Sequence, residues 1–391
     1  MKKYFLLLFT TATSLFADIC CPPTRTDSIP YSHVADTSDD YLTGYIQALV
    51  DMHYYEFQVR IIVRNQIAYI LNLPNNEVIS NSIICFVYDV PCIACVERVD
   101  CCLDEFLSSL DEQTRCDLYS CLYQDCACHI SGIWFPQNTL LFLPLIADPR
   151  QVMNAAALRF NDSVIGKHVG AASFGDDFIF FRFKDVLYWQ GDMDLGIEAG
   201  IFSVFDLDHT EACFVNSDFY VAALITYAFD KWSFRFRLWH LSSHIGDEFL
   251  ICNPDFQRKN LSDEGVDFFA SYQWNRALRL YAGIGDIFDR DDSFPEHPLY
   301  LEWGTEIRLF GCKDRYNKLY IQPFLAMHFR AWEEHDFNVD QNYALGVEYS
   351  KLQGVGRKFR IFAEYHNGFS KEGQFAKCES SYFDIKINYG F

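Results

Sequence analysis

The last ten residues of the chain, YFDIKINYGF, place an apolar side chain at every second position: Phe383, Ile385, Ile387, Tyr389 and Phe391. Asp384, Lys386, Asn388 and Gly390 lie between them. A period of two is the period of a strand with one oily and one wet face. The same grammar recurs upstream, in MDLGIEAGIFSVF, VDFFASYQW, LEWGTEIRLF, LYIQPFLAMHF and NYALGVEYS. Counted along the chain, it predicts twelve strands near 152–160, 167–182, 192–206, 218–229, 232–245, 265–274, 277–287, 299–310, 319–332, 341–350, 358–368 and 381–391. Pro323, on the apolar register of its strand, weighs mildly against a central position there.

The connections alternate in length. Asp230-Lys231 and Asn275-Arg276 read as tight turns, whereas 246–264, 286–298 and 369–380 are long and acidic. An even number of strands with short turns at one end and long loops at the other describes an antiparallel transmembrane barrel of the outer-membrane type, over residues 151–391. Hydrophobic residues are 50% of the chain and aromatics 17%, yet beyond the N-terminus no apolar run reaches the length of a membrane helix. The wet register carries Arg235, Arg237, Arg279, Arg308, Arg330 and Arg360 against Asp192, Asp194, Glu198, Asp267, Glu302, Glu306, Glu348, Glu364 and Asp384. Facing a lumen, such charges are able to close it by ion pairs. The net charge of -21 argues against a nucleic-acid partner.

Residues 1–17, MKKYFLLLFTTATSLFA, join a Lys pair to a short apolar core and end on Ala17, which reads as a secretory signal peptide. A Cys-containing segment, 18–40, follows. There are 15 cysteines, and in an exported chain they point to disulfides, with an odd one left over. The candidates are Cys92, Cys95, Cys101, Cys102, Cys116, Cys121, Cys126 and Cys128, most of them in a Cys-rich linker over 101–150. Cys92-x-x-Cys95 and Cys126-x-Cys128-His129 also have metal-ligand spacing, but an oxidising compartment favours disulfides, and no metal is expected.

Residues 41–100 read as helix, hairpin, helix, strand. DDYLTGYIQALVDMHY has helical spacing, and VRIIVRNQIAYILNLP turns at Asn65-Gln66. A second helix follows Asn75 or Asn76 and stops before Pro91, and IACVERV is a last strand. This αββαβ order resembles the BON domain, a small fold of periplasmic and outer-membrane proteins. The expected architecture is therefore mainly β, a barrel preceded by a small α+β domain in the periplasm.

One strand breaks the pattern. In RLWHLSSHIGDEFL the lipid-facing register of Phe234, Phe236 and Leu238 continues as His240, Ser242 and His244. An H-x-S pair on the outside of a barrel resembles outer-membrane phospholipase A and lipid A deacylase. That resemblance implies Ser242 as nucleophile, His240 as its base, the backbone near Ser243 at the oxyanion, and calcium as the one cofactor to expect. Asn253, Asp255 and Glu264 are the candidate orienting residues. Read blandly, the same side chains are polar groups above the membrane boundary.

Over residues 134–391 the stretches FPQNTLLFLPLIADPRQ, FSVFDLD, WHLSSHIGDEFL and HNGFSKEGQF resemble an uncharacterised family of bacterial outer-membrane proteins. The Cys-rich segment resembles that of chlamydia-type envelope proteins, which implies disulfides to other Cys-rich envelope proteins. Three functions follow as expectations: a structural or surface-exposed envelope component, a lipid esterase using His240 and Ser242, or a narrow channel. Outer-membrane lipid and the barrel assembly machinery are the expected partners, the latter through a C-terminal signal of Ile387, Tyr389 and Phe391.

Overall fold

The computed structural model describes residues 38–99, 132–208, 212–309, 320–350 and 356–391. The expected signal peptide and Cys101, Cys102, Cys116, Cys121, Cys126 and Cys128 lie outside the described residues.

Helix α1 (Asp39–Tyr54) begins after Ser38, whose hydroxyl accepts the Tyr41 N–H at 3.3 Å, with Asp39 and Asp40 in the first turn. Strands β1 (Arg60–Arg64) and β2 (Ile67–Leu71) form a hairpin. Asn65 and Gln66 both take positive φ at its two-residue turn, as a primed turn requires. The Asp39 carboxylate accepts the Asn65 N–H at 2.8 Å and ties that turn to the helix. Helix α2 (Glu77–Tyr88) is capped by Asn76, and β3 (Cys95–Val99) runs parallel to β2. Ile46, Tyr54, Phe57, Ile70, Ile83 and Val87 fill the space between helices and sheet. The expected αββαβ order is the order found.

Beyond a short strand β4 (Gly132–Trp134), the chain builds a closed sheet: β5 (Asn154–Asp162), β6 (Gly166–Val186), β7 (Gly191–Asp206), β8 (Cys213–Phe229), β9 (Trp232–Ile245), β10 (Leu261–Gln273), β11 (Leu278–Arg290), β12 (Leu299–Arg308), β13 (Tyr320–Trp332), β14 (Val339–Ser350), β15 (Lys358–Phe369) and β16 (Glu379–Gly390). Each pairs antiparallel with the next, and β16 returns to β5, from Phe383 opposite Phe160 to Tyr389 opposite Asn154. This is the expected twelve-stranded barrel. Leu238, Ile284, Leu345 and Ile385 face outward and are exposed, while Arg235, Arg237, Asp267, Glu306 and Glu348 are buried inside. An apolar exterior on a sheet without edges is what lipid demands of a spanning structure.

Strands β8 and β10 start earlier than their alternation suggests, at Cys213 and Leu261, because the sheet extends above the apolar belt. The first long loop therefore shrinks to 246–260 and contains helix α3 (Asp247–Cys252). Pro323 is accommodated at the end of the β12 pairing: its carbonyl accepts the Leu309 N–H at 2.9 Å, and the Gln322 side-chain amide donates to the Leu309 carbonyl at 3.3 Å in place of the missing N–H.

Residues 135–153, assigned from sequence largely to the linker, run through the lumen. Thr139, Leu140, Leu141, Phe142, Leu145, Ile146 and Ala147 are all buried there. Thr139 meets Arg182 near the short-turn end of β6, and Arg150 meets Asp218 on the long-loop side.

Candidate functional site

The register of β9 against β10 sets His240 opposite Glu264 and Ser242 opposite Ser262, all on the outer face. Cross-strand neighbours on one face are within side-chain reach, and His240 Nδ1 lies 2.8 Å from Glu264 Oε1. Both side chains are part-exposed, at 40% and 37%. With Nδ1–H held by the carboxylate, Nε2 is the nitrogen left to accept a proton. Ser242 is two residues along the same face, ~6.6 Å by strand geometry. No hydrogen bond joins its hydroxyl to His240 among the described residues.

The other residues of the expected site lie elsewhere. Ser243 points inward, its hydroxyl donating to Asn216 Oδ1 at 3.2 Å. Its backbone is paired with Asp218 on one side and Leu261 on the other, so its N–H lies in the plane of the sheet. Asn253 and Asp255 are exposed beyond helix α3, and the Asn253 amide donates to the Phe249 carbonyl. The outward neighbours of His240 and Ser242 are Val221, Phe219, Ser262 and Glu264. A single carboxylate already bound to an imidazole does not fit calcium, which takes six to eight oxygens.

Inside the barrel, the segment 135–153 is held along its length. Arg279 donates to the Leu143 carbonyl at 2.8 Å and the Pro144 carbonyl at 3.2 Å. Glu306 accepts the Ile146 N–H at 3.0 Å, and Gln151 Oε1 accepts the Leu145 N–H at 3.0 Å and Arg235 at 3.2 Å. Phe142 and Leu145 pack with Phe269 and Tyr281. These contacts satisfy the backbone of an irregular segment at membrane depth, which is tolerated only when protein surrounds it. From the long-loop end, residues 370–378 fold inward. Glu372 pairs with Arg159 at 2.8 Å, the Gly373 N–H reaches Asp218, and the Gln374 amide donates to the Ser243 and Lys259 carbonyls. Asp148, Glu302 and His328 bring ligand atoms within 4.8 Å of one another, but Arg330 Nε stands 3.5 Å from Glu302 and Tyr281 occupies His328 Nδ1. His328 Nε2 faces Glu302 at 3.7 Å.

At the short-turn end the small domain is locked to the barrel. Glu56 is fully buried; Oε1 accepts the Gln137 and Asn138 N–H groups, each at 2.6 Å, and Oε2 accepts the Thr139 hydroxyl and Arg182 Nη1 at 3.2 Å. Arg182 forks onto Asp194 with its other nitrogens, at 2.7 and 2.8 Å. Lys184 donates to the Phe57 carbonyl, the Glu77 N–H donates to the Asp230 carbonyl, and Arg276 contacts Cys85 Sγ. Sequence reasoning did not single out Glu56 or Arg182; the available sign was a carboxylate amid the aromatics of HYYEFQ, with no cation beside it.

Ile387 and Tyr389 face outward, as the alternation predicts, while Phe391 turns inward against Leu140, Ile179 and Leu224. Cys92 and Cys95 are both half-buried in the small domain.

A closed barrel with an apolar exterior and a filled lumen defines an outer-membrane β-barrel protein. The chain belongs to the family described as Protein of unknown function (DUF1207), which matches residues 54–391. Among curated proteins, none matches it. Similar solved structures include outer membrane phospholipase A from Escherichia coli, at 10% identity over 60% of this chain and 92% of that one, with a TM-score of 0.42. The calcium-bound phospholipase dimer of Salmonella typhi is 11% identical over 62% of this chain and 93% of that one, with a TM-score of 0.41. LpxR of Salmonella typhimurium is 12% identical over 61% of this chain and 99% of that one, with a TM-score of 0.32. These are likenesses of fold alone.

Proposed function

We propose that the protein is a closed, non-conducting outer-membrane barrel that anchors its BON-like domain at the periplasmic face, as a structural component of the envelope. The observation that carries this reading is the buried contact of Glu56 with Arg182, which makes domain, lumenal segment and barrel wall one packed unit. A pore has no use for such a seal, whereas an anchor needs a rigid joint. The cysteines from Cys101 to Cys128, placed between domain and barrel, then cross-link the anchor to other Cys-rich envelope proteins. Non-reducing gels of whole envelopes test it. High-mass species that collapse on reduction, and that vanish when those cysteines are changed to serine, are expected. A monomer under all conditions would sink the cross-linking role.

A second reading rests on the 2.8 Å contact of His240 with Glu264 on the lipid face. In it, Ser242 rotates toward His240 Nε2, gives up its proton and attacks a lipid ester carbonyl. His240 returns the proton to the leaving alcohol, and water, deprotonated by the same nitrogen, releases the acyl group. Glu264 holds the imidazole tautomer and stabilises the imidazolium. Phospholipid and lipopolysaccharide hydrolysis by purified protein, with and without calcium, decides it: activity is lost in Ser242→Ala, and equal rates in wild type and variant reject it.

A further inference from the structure

Cys213 opens β8, and Cys252 closes helix α3 across the long-loop rim. The helix is laid along the start of β8 by two backbone ties: the Phe214 N–H donates to Glu248 Oε2, and the Gly246 N–H donates to the Val215 carbonyl, both at 2.8 Å. The ties run antiparallel, Gly246 to Val215 and Glu248 to Phe214. Cys252, one helical turn past Glu248 on the same face, is thus carried toward Cys213, and both are free thiols in the structure. Cys213 is buried and Cys252 exposed. The same helix presents Phe249 to Phe256 and to Phe375, the latter from the loop that folds into the lumen. The pair therefore sits where three rim segments meet.

We propose that Cys213 and Cys252 form a disulfide in the exported protein, a clasp that fixes helix α3 and, through Phe249, the inward-folded loop 370–378. The asymmetry of exposure sets the order of events. The Cys252 thiolate, reachable from solvent, attacks a sulfur of the disulfide of a thiol–disulfide oxidoreductase and forms a mixed disulfide, releasing one donor thiol. Cys213, as thiolate, then attacks Cys252 Sγ and displaces the second. The two cysteines lose two protons and two electrons, and the donor leaves as a dithiol. The clasp is independent of any role for Ser242 or for the linker cysteines. It requires only passage through an oxidising compartment.

Peptide mapping by mass spectrometry of the full chain, isolated from outer membranes with thiols trapped by alkylation at lysis, tests the bond. A linked peptide containing both cysteines is expected. Recovery of either residue alkylated, or joined to another cysteine, overturns it. Limited proteolysis tests the clasp. Cys252→Ser, a substitution at an exposed position, and reduction of the wild type are each expected to speed cleavage within 247–260 several-fold. Equal cleavage in oxidised wild type, reduced wild type and variant overturns the clasp even where the bond itself is found.

Discussion

The guanidinium of Arg182 and the carboxylate of Glu56 meet at 3.2 Å with neither side chain reached by solvent. One belongs to the barrel wall and the other to the small domain. Asp194 and Thr139 complete the arrangement, so every charge is paired and hydrogen-bonded. Removing one member leaves its partners buried and uncompensated, which costs about 3–5 kcal/mol. Arg182→Ala is therefore expected to release the small domain to protease while the barrel stays intact. Arg182→Lys is expected to recover part of the resistance, since lysine supplies charge without the fork. Unchanged protease resistance in both variants would contradict the joint.

In the finished barrel Phe391 packs against Leu140, Ile179 and Leu224. We propose that, as the terminal aromatic, it also serves delivery to the assembly machinery, and the two roles separate by experiment. Deleting Phe391 is expected to lower the amount of protein inserted in the outer membrane. Leu140→Ala is expected to leave insertion unchanged while lowering the temperature at which the barrel unfolds, by a loss of about 2–5 kcal/mol. Normal assembly without Phe391 would contradict its role in delivery.

Glu296, in the connection between β11 and β12, is held up to about 9 by burial and then by the neighbouring Asp263 carboxyl. The folded state thus binds a proton that the unfolded chain gives up near the ordinary value of 4.5. Its contribution to stability is full below that value and is lost as pH rises toward the folded value. Glu296→Gln keeps the shape and the hydrogen-bond donor without the titration. Its unfolding temperature should exceed that of the wild type at pH 8, by a margin that shrinks at pH 5. An equal margin at both pH values would contradict the assignment.

The barrel was legible because each strand is half-buried, and half-burial writes period two into the sequence. The small domain was legible through the spacing of its helices and through Asn65-Gln66 and Asn76. The lumenal segment was not. TLLFLPLIADP is mostly buried, with no face left to solvent at a regular spacing, and has no regular secondary structure, so no period marks it, and its prolines suggest a linker. Glu56 and Arg182 were hidden because their contact joins two units far apart along the chain. The pairing of His240 with Glu264 was anticipated as one of three options, and only the strand register distinguishes it from Asn253 and Asp255. Phe391 departs from its alternation because it follows the last paired residue of β16 and is free to turn in against Leu140.

We propose that the barrel is sealed by its own residues 135–153. Single-channel recording in planar bilayers tests it most directly, on the wild type and on a variant in which 139–148 is replaced by a Gly/Ser linker. No stable conductance is expected from the wild type, and a stable open pore is expected from the variant. A wild type that conducts steadily, at a level unchanged by the replacement, would contradict the seal.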